Sequence, residues 1–493
     1  MSLTKVTYSM IDGAAISVRD FGAIGDGITN DRDALQLALN AVGDAGGGTL
    51  YLPKGRYYIT GALLVPSNTR VTGAGVGATV IFHPSSEAFR NKNYPSDGPD
   101  YNITIDNLTC DANGTGATPI SMKGINQCYF DTLELKGMTP IGVTVGIGIA
   151  ATATSAVDDI FISNCNFMVP DYGVVLQGLD GKSVRGAYIT NCNFMIRWGS
   201  GISCAGQTKK VTISGCGFEF NGLDSPNTGE VVGIGVKLWQ GTTETNGPQD
   251  TAITGCAFIG RSVRDAYFGV SAANYTRNVT VTGCTFRQLN YAYYNNFSGG
   301  QNLNTVFSSN VIEQCDYGFF NDISSDVHPV IANNVFNGVG VGIRSSLRYS
   351  IVSGNRFTDI TNEAILANNP CQFGVITGNA FTRIGKAALK LLVDGGNSNN
   401  ITFTGNSLHE VCTAADDTYS CIELNNQGHV ITGNTFTNAS TTIKPKYIIS
   451  DGAAPITGRI INGNFMFGAR LGYVQTAGVA DVYANNLERG GIG

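Results

Sequence analysis

Charged side chains are scarce in this sequence. They make up 14% of its 493 residues, where a soluble domain carries about a quarter. The 31 basic and 37 acidic residues leave a formal net charge of −6, and no basic run stands out. Nucleic acid and anionic membranes are therefore poor partner candidates. The first residues, MSLTKVTYSM, have no apolar core, so no signal peptide is expected. Residues 137–157 carry no charge, but Pro140, glycines and threonines interrupt them. That composition fits strand and loop packed against protein, and no membrane insertion is expected. Histidine is rare as well. His83, His328, His409 and His429 stand too far apart for a metal site, and neither a metal nor another cofactor is expected.

Helical periodicity is almost missing. The exception lies inside VRDFGAIGDGITNDRDALQLALNAVGDAGGGTLYLPKGRYYI at 18–59. Asn30 is placed as N-cap, and Asp33 and Asp31 complement the positive end of the helix. Ala34, Leu35, Ala38, Leu39 and Val42 recur at helical spacing, and Gly43 closes the run. One helix cannot form a core alone, so it must cover something else.

What is abundant is glycine, with 64 residues. Few charges with many glycines and β-branched residues read as an all-β chain dense in turns. After residue 100 one phrase repeats: ISNCNF (162–167), ITNCNF (189–194), ISGCGF (213–218), ITGCAF (253–258) and VTGCTF (281–286). It continues as IANNVF (331–336), VSGNRF (352–357), ITGNAF (376–381), ITGNTF (431–436) and INGNFM (461–466), with weaker copies at 103–109, 125–130, 307–312, 403–408 and 483–487. Most steps are 21–30 residues. Each copy is a short alternating strand, a Gly/Asn corner and a buried Phe, the pattern of a solenoid. With no helix between copies, each repeat is one coil of three short strands. The expected fold is all-β: a single-stranded right-handed parallel β-helix. Residues 31–42 form an N-terminal capping helix over its open edge.

One column of the repeat changes chemistry. It runs through Cys165, Cys192, Cys216, Cys256 and Cys284, then Asn334, Asn355, Asn379, Asn406, Asn434 and Asn464. Counting Cys128, six of the twelve cysteines are assigned to it. Asn amides at one level pair up and down a stack. The cysteine spacing fits neither a metal motif nor a disulfide framework, so the thiols are read as reduced core residues.

The 18–59 segment resembles the opening signature of the pectate-lyase-like right-handed β-helix superfamily, which includes phage tailspikes, polygalacturonases, mannuronan epimerases and exoglucanases. VTYSMIDGAAISVRDFGA (6–23) resembles the junction where phage tail proteins pass from a particle-binding segment into their β-helix. The resemblance implies a homotrimer that binds or cleaves a bacterial surface polysaccharide, carried on a virion tail after cytoplasmic assembly and joined to a phage tail adaptor protein. Against that pattern, the particle-binding domain is expected to be missing or replaced, and NNLERGGIG shows no evident trimerisation domain. Three domains are expected: residues 1–17 as attachment junction, 18–75 as helix-capped opening and 76–493 as β-helix. The polygalacturonase set of aspartates, Gly-His and Arg-x-Lys is not visible, and the epimerase Asp-Pro-His-Glu is absent. No catalytic residue is carried over.

Candidate chemistry comes from alternation along one strand per coil. Val236 and Leu238, Phe319 and Asn321, Ile343 and Ser345, Ile422 and Leu424 should point inward. Lys237 and Trp239, Tyr294 and Asn296, Phe320 and Asp322, Arg344 and Ser346, and Glu423 should point outward. Aromatic faces stack on sugars, and charged or amide groups bond hydroxyls and uronates, so Lys237, Trp239, Tyr294, Phe320 and Arg344 are the substrate-binding candidates. The 40-residue step from Cys216 to Cys256 places long loops on both sides of Lys237 and Trp239. Glycoside hydrolysis needs two carboxylates about 5–9.5 Å apart. Glu219 or Glu230 with Asp265 is the expected pair, with Asp322 next, although acidic residues in such loops are more often solvated or turn-forming. A lyase would instead need a base such as Lys237, Tyr294 or Arg344 beside a bound uronate. A non-catalytic, carbohydrate-binding tail β-helix is the third reading.

Overall fold

The repeated phrase folds as two strands around one tight corner. In ITNCNF the strand Val184–Thr190 ends at Asn191, whose φ of 53° is left-handed, and Asn193–Ile196 begins the next strand. Asn and Gly recur at that letter because they enter this region with least strain. A third strand, Gly199–Ala205, completes the coil. This computed structural model describes residues 14–488, apart from 97, 116, 139–143, 169–170, 198, 222–231, 240, 242–245, 262–265, 274, 296–301, 322–327, 368–370, 393–398, 426, 441, 452–457 and 476–481.

The chain divides into two compact units, residues 1–252 and 253–493. In the first, parallel pairing aligns Leu50, Val71, Ile105, Phe130, Ile162, Ile189 and Ile213 rung by rung. All seven are buried. The second unit repeats the device with Val281, Phe307, Ile331, Val352, Ile376, Phe403, Ile431 and Ile461. These strands, buried by coils on either side, form the right-handed parallel β-helix.

The phenylalanine of the phrase forms an internal stack. Phe167, Phe194 and Phe218 lie 4.6 and 4.9 Å apart and nearly parallel, and in the second unit Phe336, Phe357 and Phe381 lie 4.8 and 5.0 Å apart. Glycines in the third strand make room for them. A Cβ on Gly173 would sit 2.5 Å from the Phe194 ring, and one on Gly318 2.4 Å from that of Phe336. The Gly–Phe pairing therefore bends the third strand inward, which matters for the outer face.

The helix runs Arg32–Asp44 with Leu35, Ala38, Leu39 and Val42 buried. Its N-cap is Asp31, one residue later than expected, and Asp31 does not cap with its side chain. That carboxylate instead accepts from Ile24 N and Gly25 N at 2.6 and 2.9 Å, holding the preceding glycine-rich turn, and Asn30 Oδ1 accepts from Arg32 N. Gln36 shows what the helix protects. Its amide accepts from Leu64 N and donates to Leu64 O, at 2.8 and 3.1 Å. Leu63–Val65 is the terminal strand of its sheet, so the helix supplies hydrogen bonds a missing neighbour would have made.

All twelve cysteines are free and buried. Cys165, Cys192 and Cys216 donate to carbonyls of Ser163, Thr190 and Ser214. Cys128 does not belong to this column. It pairs with Ile160, and the rung before Cys165 is Leu133, next to the aligned Glu134 and Asn166. In the second unit the amides form a continuous ladder. Asn310 follows Cys284, and the series runs Asn334, Asn355, Asn379, Asn406, Asn434, Asn464 and Asn486. Each Nδ2 donates to the next Oδ1 at 2.9–3.1 Å. Asn310, Asn406 and Asn486 sit in three of the weaker copies.

His83 gives the first unit a defined acid response. It is fully buried, its Nδ1 contacts Ser86 O, and burial pulls its pKa from 6.5 down to about 4. A group depressed on folding contributes stability above its unfolded pKa and loses it as pH falls through the folded one. Stability should therefore drop by about 3 kcal/mol between pH 6.5 and 4. Urea midpoints across that range should show the slope in wild type and a flatter one in His83→Leu. Equal slopes would remove His83 as the cause.

Candidate functional site

The inward half of the alternation holds. Val236, Leu238, Phe319, Asn321, Ile343, Ser345, Ile422 and Leu424 are all buried. Of the outward set, Lys237, Trp239, Tyr294, Arg344 and Glu423 are partly exposed, whereas Phe320 is only 5% exposed and Ser346 is fully buried; Asn296 and Asp322 lie outside the described residues.

In the first unit, Lys237 and Trp239 lie on the strand Val232–Trp239, paired with Gly199–Ala205 so that Ser203 aligns with Lys237. Trp239 Nε1 donates to Ser203 Oγ at 2.8 Å, and Lys237 Nζ lies 4.1 Å from the indole centroid. Burial pushes the Lys237 pKa down. The indole is thus fixed at one edge and partly covered by an amine that gives up its proton more readily than usual. Glu219 is not on this face. It is exposed on Gly217–Phe220, a strand of the other sheet, in register with Met195. Glu230 lies outside the described residues.

In the second unit, Tyr294, Phe320 and Arg344 align on successive rungs. Tyr294 and Phe320 stack at 5.4 Å, and the Arg344 guanidinium lies 5.1 Å from the Phe320 centroid. A second column missed by alternation stands beside them. Phe268, Tyr291 and Tyr317 stack at 5.0 Å intervals. Edge contacts join the columns, with Phe268 4.6 Å from Tyr294, and Phe320 5.0 and 5.1 Å from Tyr291 and Tyr317. Phe320 is covered because rings enclose it. Strict alternation sends Tyr291 and Tyr317 inward. They face out because Ala292 and Tyr293, like Gly318 and Phe319, are both buried where the strand bends. Burial raises the Tyr291 pKa to about 12, so the phenol stays protonated and can donate a hydrogen bond.

Asp316, also absent from the sequence candidates, borders this cluster next to Tyr317. Its Oδ2 accepts from Asn290 Nδ2 at 2.9 Å, and Asn290 Oδ1 in turn accepts from Tyr267 N at 2.9 Å. Burial raises the Asp316 pKa, opposed by the Asn290 bond. No lysine or arginine among the described residues forms an ion pair with it. By contrast, Glu423 on the same face pairs with Lys390 at 2.9 Å, and Glu363 approaches Lys386 at 3.9 Å. A carboxyl that burial makes hold its proton longer than usual can serve as an acid. The signal was present in the Asp-Tyr-Gly before Phe319. Asp265 and Asp322 lie outside the described residues.

Replacing Trp239 by Ala should cost about 1–2.5 kcal/mol of stability, since one hydrogen bond and one cation–π contact are lost. Glycan binding should weaken by roughly 1–3 kcal/mol if the indole is a sugar platform. Calorimetric titration beside thermal melts separates the two effects. Undiminished binding would remove Trp239 from the site.

Residues 15–224 match the family model described as rhamnogalacturonase A/epimerase, pectate lyase-like. Alginate lyase 7 of Azotobacter vinelandii is 51% identical over 72 residues, 13% of this chain and 8% of that protein. The pre-neck appendage protein of Bacillus phage B103 is 27% identical over 175 residues, 30% of this chain and 20% of that protein. The matches thus span a fifth or less of these relatives' length. Among solved structures, the N-terminal fragment of bacteriophage Phi29 gene product 12 superposes with a TM-score of 0.53 at 14% identity, covering 92% of this chain and 85% of that one. Residues 15–224 are thus similar to a pectate lyase-like family model, and with its coils stacked as described the chain folds as a right-handed parallel β-helix.

Proposed function

We propose that the protein is a phage tailspike-type protein that binds and depolymerises a bacterial surface polysaccharide by glycosidic hydrolysis. The observation that carries this reading is Asp316, a carboxyl with a raised pKa, oriented by Asn290 at the edge of five packed aromatic rings. The rings offer a sugar platform, and Arg344 offers a cation for acidic substituents. Protonated Asp316 gives its proton to the glycosidic oxygen as the bond to the anomeric carbon breaks. Water adds to that carbon and loses its proton to a second carboxylate, expected from Asp265 or Asp322. Similarity to a phage appendage protein supports placement on a virion tail; a tail adaptor and two further copies of the chain are the partners proposed there.

A second reading has its own support. The lowered pKa of Lys237 suits a base that removes the C5 proton of a uronate, expelling the C4 substituent and leaving a C4–C5 double bond. The relative named alginate lyase favours the same chemistry. One experiment decides. The purified protein is incubated with a panel of capsular, O-antigen and uronate polysaccharides, and products are assayed for reducing ends and for unsaturated, ultraviolet-absorbing ends. Reducing ends without absorbance are expected. Absorbing ends would establish elimination, and intact polymer throughout would make this a binding protein.

A further inference from the structure

At three successive corners of the second unit, a bulky ring stands where surrounding coils carry Asn or Gly. In chain order the left-handed residues of this corner are Asn278, Asn304, His328, Tyr349, Phe373, Asn400, Gly428 and Gly458, with φ between 50° and 77°. Asn and Gly adopt this conformation with little strain, and large side chains do not. The three rings nevertheless stack. His328 and Tyr349 are 5.7 Å apart, and Tyr349 and Phe373 are 5.3 Å apart and nearly parallel. The stack returns little burial, because Tyr349 and Phe373 remain 43% and 50% exposed. Folding alone would be served as well by the Asn of adjacent corners.

The surroundings indicate what the rings are for. The Arg348 guanidinium lies 5.7 Å from the Tyr349 centroid, and its buried Nε has no hydrogen-bond partner. The corner segments 276–278, 302–305, 328–329, 346–350, 371–374, 399–401 and 427–429 contain no Asp or Glu. They carry Arg277 and Arg348 and a series of Asn and Gln amides, in a chain whose net charge is −6. Aromatic rings for sugar rings, amides for hydroxyls and guanidinium for carboxylate form a complementary set.

We propose that the ladder of His328, Tyr349 and Phe373, with Arg348, is a second glycan-binding site that takes a uronate-bearing stretch of polysaccharide. It rests on the polysaccharide reading above only for its ligand class and does not involve Asp316.

The test is a double variant, Tyr349→Asn with Phe373→Asn, which restores the residue of neighbouring corners and should melt at or above the wild-type temperature. Affinity electrophoresis is run through gels containing alginate, polygalacturonate or hyaluronate, with neutral dextran as control. Wild type should be retarded by a uronate polymer and not by dextran. The double variant should need about tenfold more polymer for the same retardation, and Arg348→Gln should flatten the salt dependence. Unretarded wild type, or unchanged retardation of the double variant, overturns the site. Loss of self-association with glycan binding intact also overturns it, since the ladder would then join copies of the chain. A protein that cleaves glycan without corner binding fails this proposal alone, and one that binds through the corner and cleaves nothing fails the hydrolase reading alone.

Discussion

Asn379→Ala should be among the most destabilising single substitutions in the second unit, lowering stability by about 4 kcal/mol or more. Asn379 Oδ1 accepts from both Asn355 N and Asn355 Nδ2, at 2.8 and 3.0 Å, and its Nδ2 donates to Val352 O at 2.9 Å. Alanine would strand three buried polar groups at once, each worth about 1–3 kcal/mol when left unpaired. Asn379→Cys, the residue this column uses earlier, should recover part of the loss, because a thiol still donates weakly to a strand carbonyl. Urea titrations of the three proteins provide the measurement. A loss below about 1 kcal/mol for the alanine variant would mean that the ladder fills space and holds little else.

Asp316→Asn should abolish depolymerisation, by roughly a hundred- to ten-thousandfold, while glycan binding stays within a factor of about two of wild type. Stability offers a control here. A carboxyl whose pKa is raised on folding destabilises the protein when ionised, so its neutral isostere should be as stable or slightly more stable at neutral pH. Lost activity could not then be blamed on unfolding. Because the acid must carry its proton, wild-type turnover should fall as pH rises through the elevated pKa of Asp316. The variant should lack that limb, and Asp316→Glu should restore part of the rate. Retention of more than about a third of wild-type activity by Asp316→Asn would end its candidacy.

Much of the architecture was legible in the letters, for a physical reason. A coil that survives only by stacking must repeat its inward residues, so Ile189, Cys192 and Phe194 recur as a phrase and each lands in the core. The helix was readable to within two residues at either end, since its buried stripe has period 3.6. The site was less readable. Glu219 is close to Lys237 in sequence, yet their strands belong to different sheets. Tyr291 and Tyr317 were hidden because a local bend, at Ala292 in one strand and Gly318 in the other, breaks period-two alternation. Asp316 depends on the same bend. Cys128 was misassigned because its phrase resembles the others while its register does not.

The amide ladder of the second unit also has a direction. From Asn310 to Asn464 each Nδ2 donates one proton to the Oδ1 of the C-terminal neighbour and another to a carbonyl of the preceding coil, and from Asn334 to Asn486 each Oδ1 accepts from the N-terminal neighbour. No amide-to-amide bond runs the other way. The side-chain dipoles therefore add along the stack as peptide dipoles add along an α-helix, with the positive pole toward Asn486, and each bond polarises the next. Such a wire is most sensitive at its middle. A rung lost at Asn379 leaves two short polarised segments, whereas one lost at either end only trims the chain. Equal substitutions should grow milder toward Asn310 and Asn486, although the local hydrogen bonds of every rung are nearly the same.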